Sequence, residues 1–225
     1  MTINIVRADP AGNITAIVTS AVDPSQYASV SSYILQHRIE GIQQVGFLAS
    51  PKFGGELRLE MMGGEFCGNA LRSVGAYWAK KQNIRKACEI EVEISGAKWP
   101  LIVNVDPNES SAFAQMPIPQ ILEKTVFFDQ IYVPVFVDGI VHLICTEHPN
   151  DVDSIDQTMI EACRRYKKEA CGIMFVDQQT RFMTPVVYVA PTASIVYEGS
   201  CASGTTALAA VLAHNYSEGI HTYPV

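Results

Sequence analysis

The stretch Gly-Glu-Phe-Cys-Gly-Asn-Ala at residues 64–70 stands between an alternating apolar and charged run and a run of helical periodicity. A second stretch, Glu-Gly-Ser-Cys-Ala-Ser-Gly-Thr at residues 198–205, follows a β-branched run and opens an apolar helix. Both stretches place a glutamate two or three residues before a cysteine and small or polar residues after it. This internal repeat predicts two similar α/β units related by a pseudo-twofold axis.

Hydrophobic patterning around these stretches predicts many short strands and a few helices. Helices are predicted at residues 25–37, 69–81, 153–168 and 202–213. Strands are predicted at residues 3–6, 14–19, 45–49, 56–61, 90–94, 101–105, 131–137, 140–145, 172–176 and 186–190. The last helix is apolar on every side, which predicts that it is buried inside its unit.

Polar residues and prolines at residues 106–119 interrupt the pattern and indicate a crossover between two lobes. We place the boundary near Met116. The N-terminal lobe, residues 1–116, then carries Cys67, and the C-terminal lobe, residues 117–225, carries Cys201.

Composition indicates a globular protein and excludes nucleic acid as its main partner. The chain is 48% hydrophobic, enough for one large core or two compact lobes. Its formal net charge is −7, and its Lys and Arg residues are scattered singly, without the clustered basic face that phosphate binding needs. The N-terminal residues do not read as a signal peptide, and no run of residues is long enough to span a bilayer. We therefore expect a cytoplasmic protein with no membrane partner.

The cysteine and histidine spacings predict neither a disulfide framework nor a metal site. No two of the six cysteines form a Cys-x-x-Cys pair, so all are expected to be reduced thiols. Four of them are interpreted as core residues: Cys88, Cys145, Cys163 and Cys171. The five histidines show neither metal-ligand spacing nor the motif of a Cys-His hydrolase, and no phosphate-binding glycine loop is present. No cofactor and no metal are therefore predicted.

Cys67 and Cys201 each stand where a helix begins, and this position suits an anion. Free backbone N–H groups and the helix dipole lie there, and they can lower a thiol pKa from about 8.5 to about 3.5–7.5. A thiolate formed in this way could serve as a base at neutral pH. Backbone N–H groups near each thiol could also hold a substrate carboxylate, and the glycine after Cys67 allows close approach.

Two facing helix N-termini would place one sulfur on each face of an α-carbon. One thiolate would remove the α-proton and the opposite thiol would deliver another, which inverts the centre. A single base would tend to return the proton to the face that it left. Either cysteine alone could equally be a packing residue, because free cysteine is among the most buried residue types.

The residues named so far resemble the diaminopimelate epimerase-like superfamily, and most closely its histidine racemases of opine-type metallophore biosynthesis. The resemblance also includes Ala-Gly-Asn at residues 11–13 and Gln-Val-Gly-Phe at residues 44–47, and it spans essentially the whole chain. It implies a two-lobed α/β (α+β) fold of mostly antiparallel sheets, each wrapped around a central helix. It also implies an active site between the lobes, with neither pyridoxal phosphate nor metal.

The resemblance further implies that Cys67 and Cys201 are the two catalytic bases. Asn13 and Asn69 would position the substrate, and the two glutamates would contact its amine or side chain. The full set expected to bind substrate is Asn13, Gln44, Glu65, Gly68, Asn69, Glu198, Ala202 and Ser203. The alternative for the asparagines and glutamates is ordinary turn and capping chemistry.

Two departures from the superfamily pattern bear on the substrate. Gly199 occupies the place where diaminopimelate epimerases hold a distal carboxylate with an arginine, so histidine is favoured over diaminopimelate. The chain also stops at Val225, before the strands that usually complete the second lobe. Either the sequence is truncated or this member has a reduced second lobe, and we expect truncation. Two alternatives stay open: a racemase or epimerase of another amino acid, such as diaminopimelate or proline, and a non-catalytic amino-acid-binding protein. The family makes a homodimer an expectation, although no surface pattern in the sequence points to one.

Overall fold

A computed structural model describes residues 2–37, 39–146, 152–214 and 219 of the chain. Within these residues the chain forms two seven-stranded sheets and four α-helices. No helix in this part of the chain is long and apolar enough to cross a membrane. The segment from residue 221 to Val225, which the argument about chain length used, lies outside the described residues.

The first sheet follows chain order from edge to edge. Its strands are β1 (Ile5–Ala8), β2 (Thr15–Val18), β3 (Gln44–Ala49), β4 (Leu57–Met61), β5 (Cys88–Ile94), β6 (Leu101–Asp106) and β7 (Ser111–Ala114). The pairs β2–β3 and β4–β5 are parallel, and the other pairs are antiparallel. Parallel neighbours need a crossover, which α1 (Tyr27–Gln36) and α2 (Gly68–Lys81) provide.

The second sheet has the order β14-β13-β12-β11-β10-β8, and β9 also pairs with β10. Its strands are β8 (Gln120–Ile121), β9 (Thr125–Phe127), β10 (Gln130–Val137), β11 (Ile140–Cys145), β12 (Ala170–Val176), β13 (Met183–Val189) and β14 (Ser194–Tyr197). Among the described strands of this sheet, β11 and β12 alone pair in parallel, and α3 (Val152–Tyr166) lies between them in the chain. The last helix, α4 (Ala202–Ala213), follows β14.

Each sheet packs against one helix that begins directly after a cysteine. Helix α2 buries Leu71 and Val74 against the first sheet, and it approaches so closely that a Cβ at Gly75 would lie 2.7 Å from Val103 Cγ1. Helix α4 packs on β10, β11 and β12 of the second sheet. The structure therefore confirms the predicted α/β class, with mostly antiparallel sheets around central helices.

Four short strands and the burial of α4 differ from the sequence predictions. Strands β7, β8 and β9 fall in or near the stretch that was assigned to a crossover, and β14 was not among the predicted strands. They were missed because two to four residues carry too little pattern to be recognised. Helix α4 is not buried on every side, since Thr205, Ala209 and Ala213 are exposed. Apolar composition shows that a helix can be buried, whereas burial itself depends on which elements cover it. The boundary near Met116 falls between β7 and β8 and stays a prediction.

Candidate active site

Cys67 and Cys201 have nearly the same local geometry. Each is the N-cap of its helix in an extended conformation, with φ and ψ of −135° and 110° at Cys67 and −137° and 104° at Cys201. The Cys67 sulfur accepts a hydrogen bond from Ala70 N at 3.4 Å, and the Cys201 sulfur accepts one from Gly204 N at 3.3 Å. Each sulfur therefore receives a backbone N–H from the first turn of the helix that it caps.

The two helix N-termini lie against each other. A Cβ at Gly68 would lie 3.0 Å from Ala202 Cβ and 2.9 Å from Met116 Sδ, so any larger residue would force these neighbours to shift. One cavity is lined by both cysteines and by seven of the eight predicted substrate-binding residues: Asn13, Gln44, Glu65, Asn69, Glu198, Ala202 and Ser203. Gly68 lines a neighbouring groove instead. The structure thus brings nine of the ten predicted site residues to one cavity.

An amide network connects Cys67 to the loop before Cys201. Cys67 donates its thiol proton to Gln44 Oε1 at 3.0 Å, and the Gln44 amide nitrogen donates to Asn13 Oδ1. Asn69 Nδ2 donates to the same Asn13 oxygen at 3.3 Å and to the Ser200 carbonyl at 3.2 Å. Because the side chains of Asn13, Gln44 and Asn69 are almost fully buried, these hydrogen bonds fix their orientation.

Two carboxyl groups that line the cavity have raised pKa values. Burial raises the pKa of Glu65 from 4.5 to about 7, although Gly63 N donates to this carboxyl at 2.8 Å. Burial also raises the pKa of Glu198 to about 7, against hydrogen bonds from Cys201 and Asn13, and the charge of Glu65 raises it further. The site can therefore change its charge near neutral pH.

The predicted lowering of the thiol pKa values is wrong for the closed cavity. Burial, reinforced by the charge of Glu198, raises the pKa of Cys67 to about 12 and that of Cys201 well above its ordinary value. The N–H groups of Ala70 and Gly204 act in the expected direction, but they do not outweigh the loss of water. In the empty closed site both thiols keep their protons.

The cavity is too small for an amino acid in this conformation. The space open to the centre of a water-sized sphere is about 20 Å³, enough for about one water. Apolar side chains complete its walls, among them Met62, Phe66, Ile140, Val187, Val189 and Val196. Binding of an amino acid therefore requires these walls to move apart. No three His, Cys, Asp or Glu side chains among the described residues come together as a metal site.

The sequence predictions missed several polar residues that support the site. Gln43 accepts a hydrogen bond from Asn13 Nδ2 at 3.2 Å, and Arg72 donates to Asn69 Oδ1 at 2.9 Å. His142 contacts Ser203 Oγ at 2.9 Å from the centre of the second sheet. Arg72 follows Asn69 by three residues on one helix, a spacing that could have indicated the contact. Nothing in the sequence around His142 could have indicated its place.

Gly199 packs directly against the turn between β1 and β2. A Cβ at Gly199 would lie 2.7 Å from the carbonyl oxygen of Gly12, and Gly12 itself has a φ of +86°. A larger residue at position 199 would therefore have to displace this turn. The contact therefore favours glycine at position 199.

Comparison with known proteins places the chain among racemases. Residues 2–223 match the family described as the histidine racemase CntK N-terminal domain. A histidine racemase of Fusobacterium nucleatum subsp. nucleatum is 32% identical over 216 residues, covering 92% of this chain and 80% of the relative. A histidine racemase of Staphylococcus aureus is 26% identical over 219 residues, covering 92% of this chain and 78% of the relative.

One solved structure shares the fold at low sequence identity. A predicted epimerase from Pseudomonas aeruginosa superposes with a TM-score of 0.60 at 11% identity, and the match covers 94% of this chain and 80% of that one. Identity at this level shows the fold alone. The family match spans nearly every residue, and the Fusobacterium relative aligns over most of both chains, so this chain belongs to the histidine racemase family.

Proposed function

We propose that this protein interconverts L-histidine and D-histidine without a cofactor, with Cys67 and Cys201 as the two bases. The observation that carries the proposal is the placement of two cysteine N-caps, from helices packed on different sheets, in the wall of one cavity. The family match supports racemisation as the reaction. D-Histidine would then be the product available for opine-type metallophore biosynthesis, in a cytoplasmic protein.

The proposed reaction moves one proton off the α-carbon and another one onto it. The thiolate on one face takes the α-proton, and the electron pair of the C–H bond passes into the substrate carboxylate as an enediolate. Backbone N–H groups at the starts of α2 and α4 are suited to stabilise that charge. The thiol on the opposite face then gives its proton to the α-carbon. Each turnover exchanges the roles of the two sulfurs.

Substrate binding would lower the thiol pKa values and so allow a thiolate to form. In the empty cavity burial and carboxylate charge hold both thiol protons. The substrate ammonium would offset the charge of Glu65 and Glu198 and would lower the pKa of both thiols. At neutral pH a thiolate would then form chiefly when substrate is present. The lobes proposed at residues 1–116 and 117–225 would separate to admit it, because the closed cavity holds about one water.

Histidine is favoured over a dicarboxylic amino acid by the groups in the cavity wall. The wall offers the carboxyl groups of Glu65 and Glu198 and the amide of Gln43. Among the described residues that line it, none is a Lys or Arg that could pair with a second carboxylate. Gly199, against the β1–β2 turn, leaves no room for such a residue at that position. An imidazole can donate to a carboxylate and accept from an amide N–H, which suits these groups.

The proposal is tested by exchange of the α-proton of L-histidine in D₂O, with the full chain under reducing conditions. NMR would follow loss of the α-proton signal, and chiral chromatography would follow D-histidine. We expect both to proceed with the wild-type protein. Cys67→Ser and Cys201→Ser should each abolish racemisation, because a serine hydroxyl is a far weaker acid than a thiol and does not form the anion that takes the α-proton.

Cys88→Ser is the matched control, since Cys88 is a half-buried cysteine at the start of β5 that does not line the cavity. It should leave both rates unchanged. Full exchange in both site variants would overturn the two-cysteine mechanism. Turnover of another amino acid without turnover of histidine would keep the mechanism and discard the substrate. Tight binding of an amino acid without any exchange in the wild-type protein would instead favour a binding protein.

A further inference from the structure

His142 is a fully buried polar side chain in the middle of the second sheet. Its exposed fraction is 0%, and it lies in β11 between Val135 of β10 and Gly172 of β12. A Cβ at Gly172 would lie 2.5 Å from His142 Nδ1, so the glycine leaves the space that the ring occupies. Burial of a polar ring is costly without hydrogen bonds, and the ring's contacts therefore need an explanation.

A chain of short polar contacts connects this imidazole to Cys201. His142 Nε2 lies 2.9 Å from Ser203 Oγ, and Ser203 Oγ lies 3.6 Å from Cys201 Sγ, within hydrogen-bonding range for sulfur. The other ring nitrogen, Nδ1, has no hydrogen-bond partner among the described residues. Ser203 and Cys201 are themselves at most 7% exposed, so water does not compete readily for these contacts.

The protonation state of His142 decides which group donates in each hydrogen bond between His142, Ser203 and Cys201. Burial lowers the pKa of His142 to about 3, so the ring is neutral at physiological pH and carries a single N–H. We assign that hydrogen to Nε2, because the alternative would leave an N–H without an acceptor in the core, which is rarer than a lone pair without a donor. Ser203 Oγ then accepts from the imidazole, and its own proton is free to point to Cys201 Sγ.

We propose that His142 is a positioning residue for the half of the reaction that Cys201 carries. By donating Nε2–H to Ser203 Oγ, it orients the Ser203 hydroxyl as a donor to Cys201 Sγ, which favours the thiolate. The inference rests on the two-cysteine mechanism proposed above. No proton passes through the imidazole, so its action is orientation alone.

The other groups around Cys201 show why such a donor matters. The charges of Glu198 and Cys67 oppose a thiolate at Cys201, and the donors that favour it are Gly204 N and the Ser203 hydroxyl. Cys67 has a different side-chain neighbour, since its thiol donates to the Gln44 amide oxygen. Loss of His142 should therefore affect Cys201 and spare Cys67.

The test measures thiol reactivity directly. The full chain, reduced and without substrate, is treated with iodoacetamide at pH 9, where a small fraction of each thiol is ionised, and mass spectrometry reads the alkylation rates of the Cys67 and Cys201 peptides separately. The reagent reaches either sulfur only when the cavity opens, so the ratio of the two rates cancels the opening equilibrium. In His142→Leu the Cys201 rate should fall about tenfold relative to the Cys67 rate. His142→Gln, which keeps a side-chain N–H donor, should restore most of the Cys201 rate.

Two results would overturn the proposal: an unchanged Cys201 rate in His142→Leu, or an equal change in the rates of both cysteines, which indicates altered opening of the cavity. Circular dichroism would check folding. If His142→Leu does not fold, Ser203→Ala decides, because His142 acts only through that hydroxyl. An unchanged ratio of the Cys201 and Cys67 rates in Ser203→Ala refutes the inference as well. Alkylation needs no turnover, so a protein that shows the slower Cys201 rate but exchanges no histidine proton disproves the proposed function separately.

Discussion

Glu65→Gln should make the protein more stable at alkaline pH and leave its stability unchanged in acid. Glu65 is 4% exposed, and its pKa rises from 4.5 to about 7 because the carboxylate loses water on folding. At about 1.4 kcal/mol per pKa unit, the shift corresponds to a cost of about 3 kcal/mol when the group is ionised. Glutamine is never ionised, and its amide oxygen can still accept from Gly63 N.

The direction of this pH dependence follows from the protonation of Glu65 in the folded protein and in the unfolded chain. Between pH 4.5 and about 7 the unfolded chain has released the Glu65 proton while the folded protein keeps it. Wild-type stability therefore falls across this window as pH rises, and the loss is complete above pH 7. The advantage of Glu65→Gln should grow from about zero near pH 4 to about 3 kcal/mol near pH 8.

Urea unfolding of both proteins at pH 4.5, 6 and 8 would measure this difference. Glu89→Gln is the matched control, because Glu89 is an exposed glutamate on β5, and its effect should not change with pH in this way. An equal difference between Glu65→Gln and wild type at all three pH values would refute the reasoning. It would mean that Glu65 is hydrated in the free protein, and hence that the cavity stands open in solution.

Three further substitutions test contacts in the site and elsewhere in the fold. Gly199→Ala should lower the free energy of unfolding by about 1–3 kcal/mol in urea titrations, because its Cβ would lie 2.7 Å from Gly12 O. Glu93→Gln should cost about 3 kcal/mol or more at neutral pH, since this buried carboxylate pairs with an arginine at 3.0 Å, yet α-proton exchange per folded molecule should persist. Gly204→Ala should slow α-proton exchange about 100-fold, because its Cβ would lie 2.2 Å from Met174 Sδ and displace the start of α4. Adding Met174→Ala to this variant should recover part of the rate. If the rate does not recover, the steric cause is contradicted.

Prediction from sequence succeeded where a periodic pattern was long. Helix α2 was predicted at residues 69–81 and is found at Gly68–Lys81, and β11 was predicted with its observed bounds, Ile140–Cys145. Strands β8 and β9 were missed because two or three residues show no period. The exposure of Ala209 on α4 was missed because apolar character does not say which side of a helix another element covers.

By itself, the sequence determined that the chain has two cysteine-to-helix junctions of the same local form. Such junctions depend on the backbone preferences of neighbouring residues, which are local. The expectation that Asn13, Gln44 and Glu198 share a site with the cysteines came from the family resemblance. The tertiary structure decided the protonation state of these groups and the side chains that contact them. Water exclusion raised the pKa of both thiols against the helix N-termini, and packing of β11 beneath α4 brought His142 to Ser203. Desolvation and contacts between distant segments arise only when the two sheets have assembled, so no local pattern could reveal them.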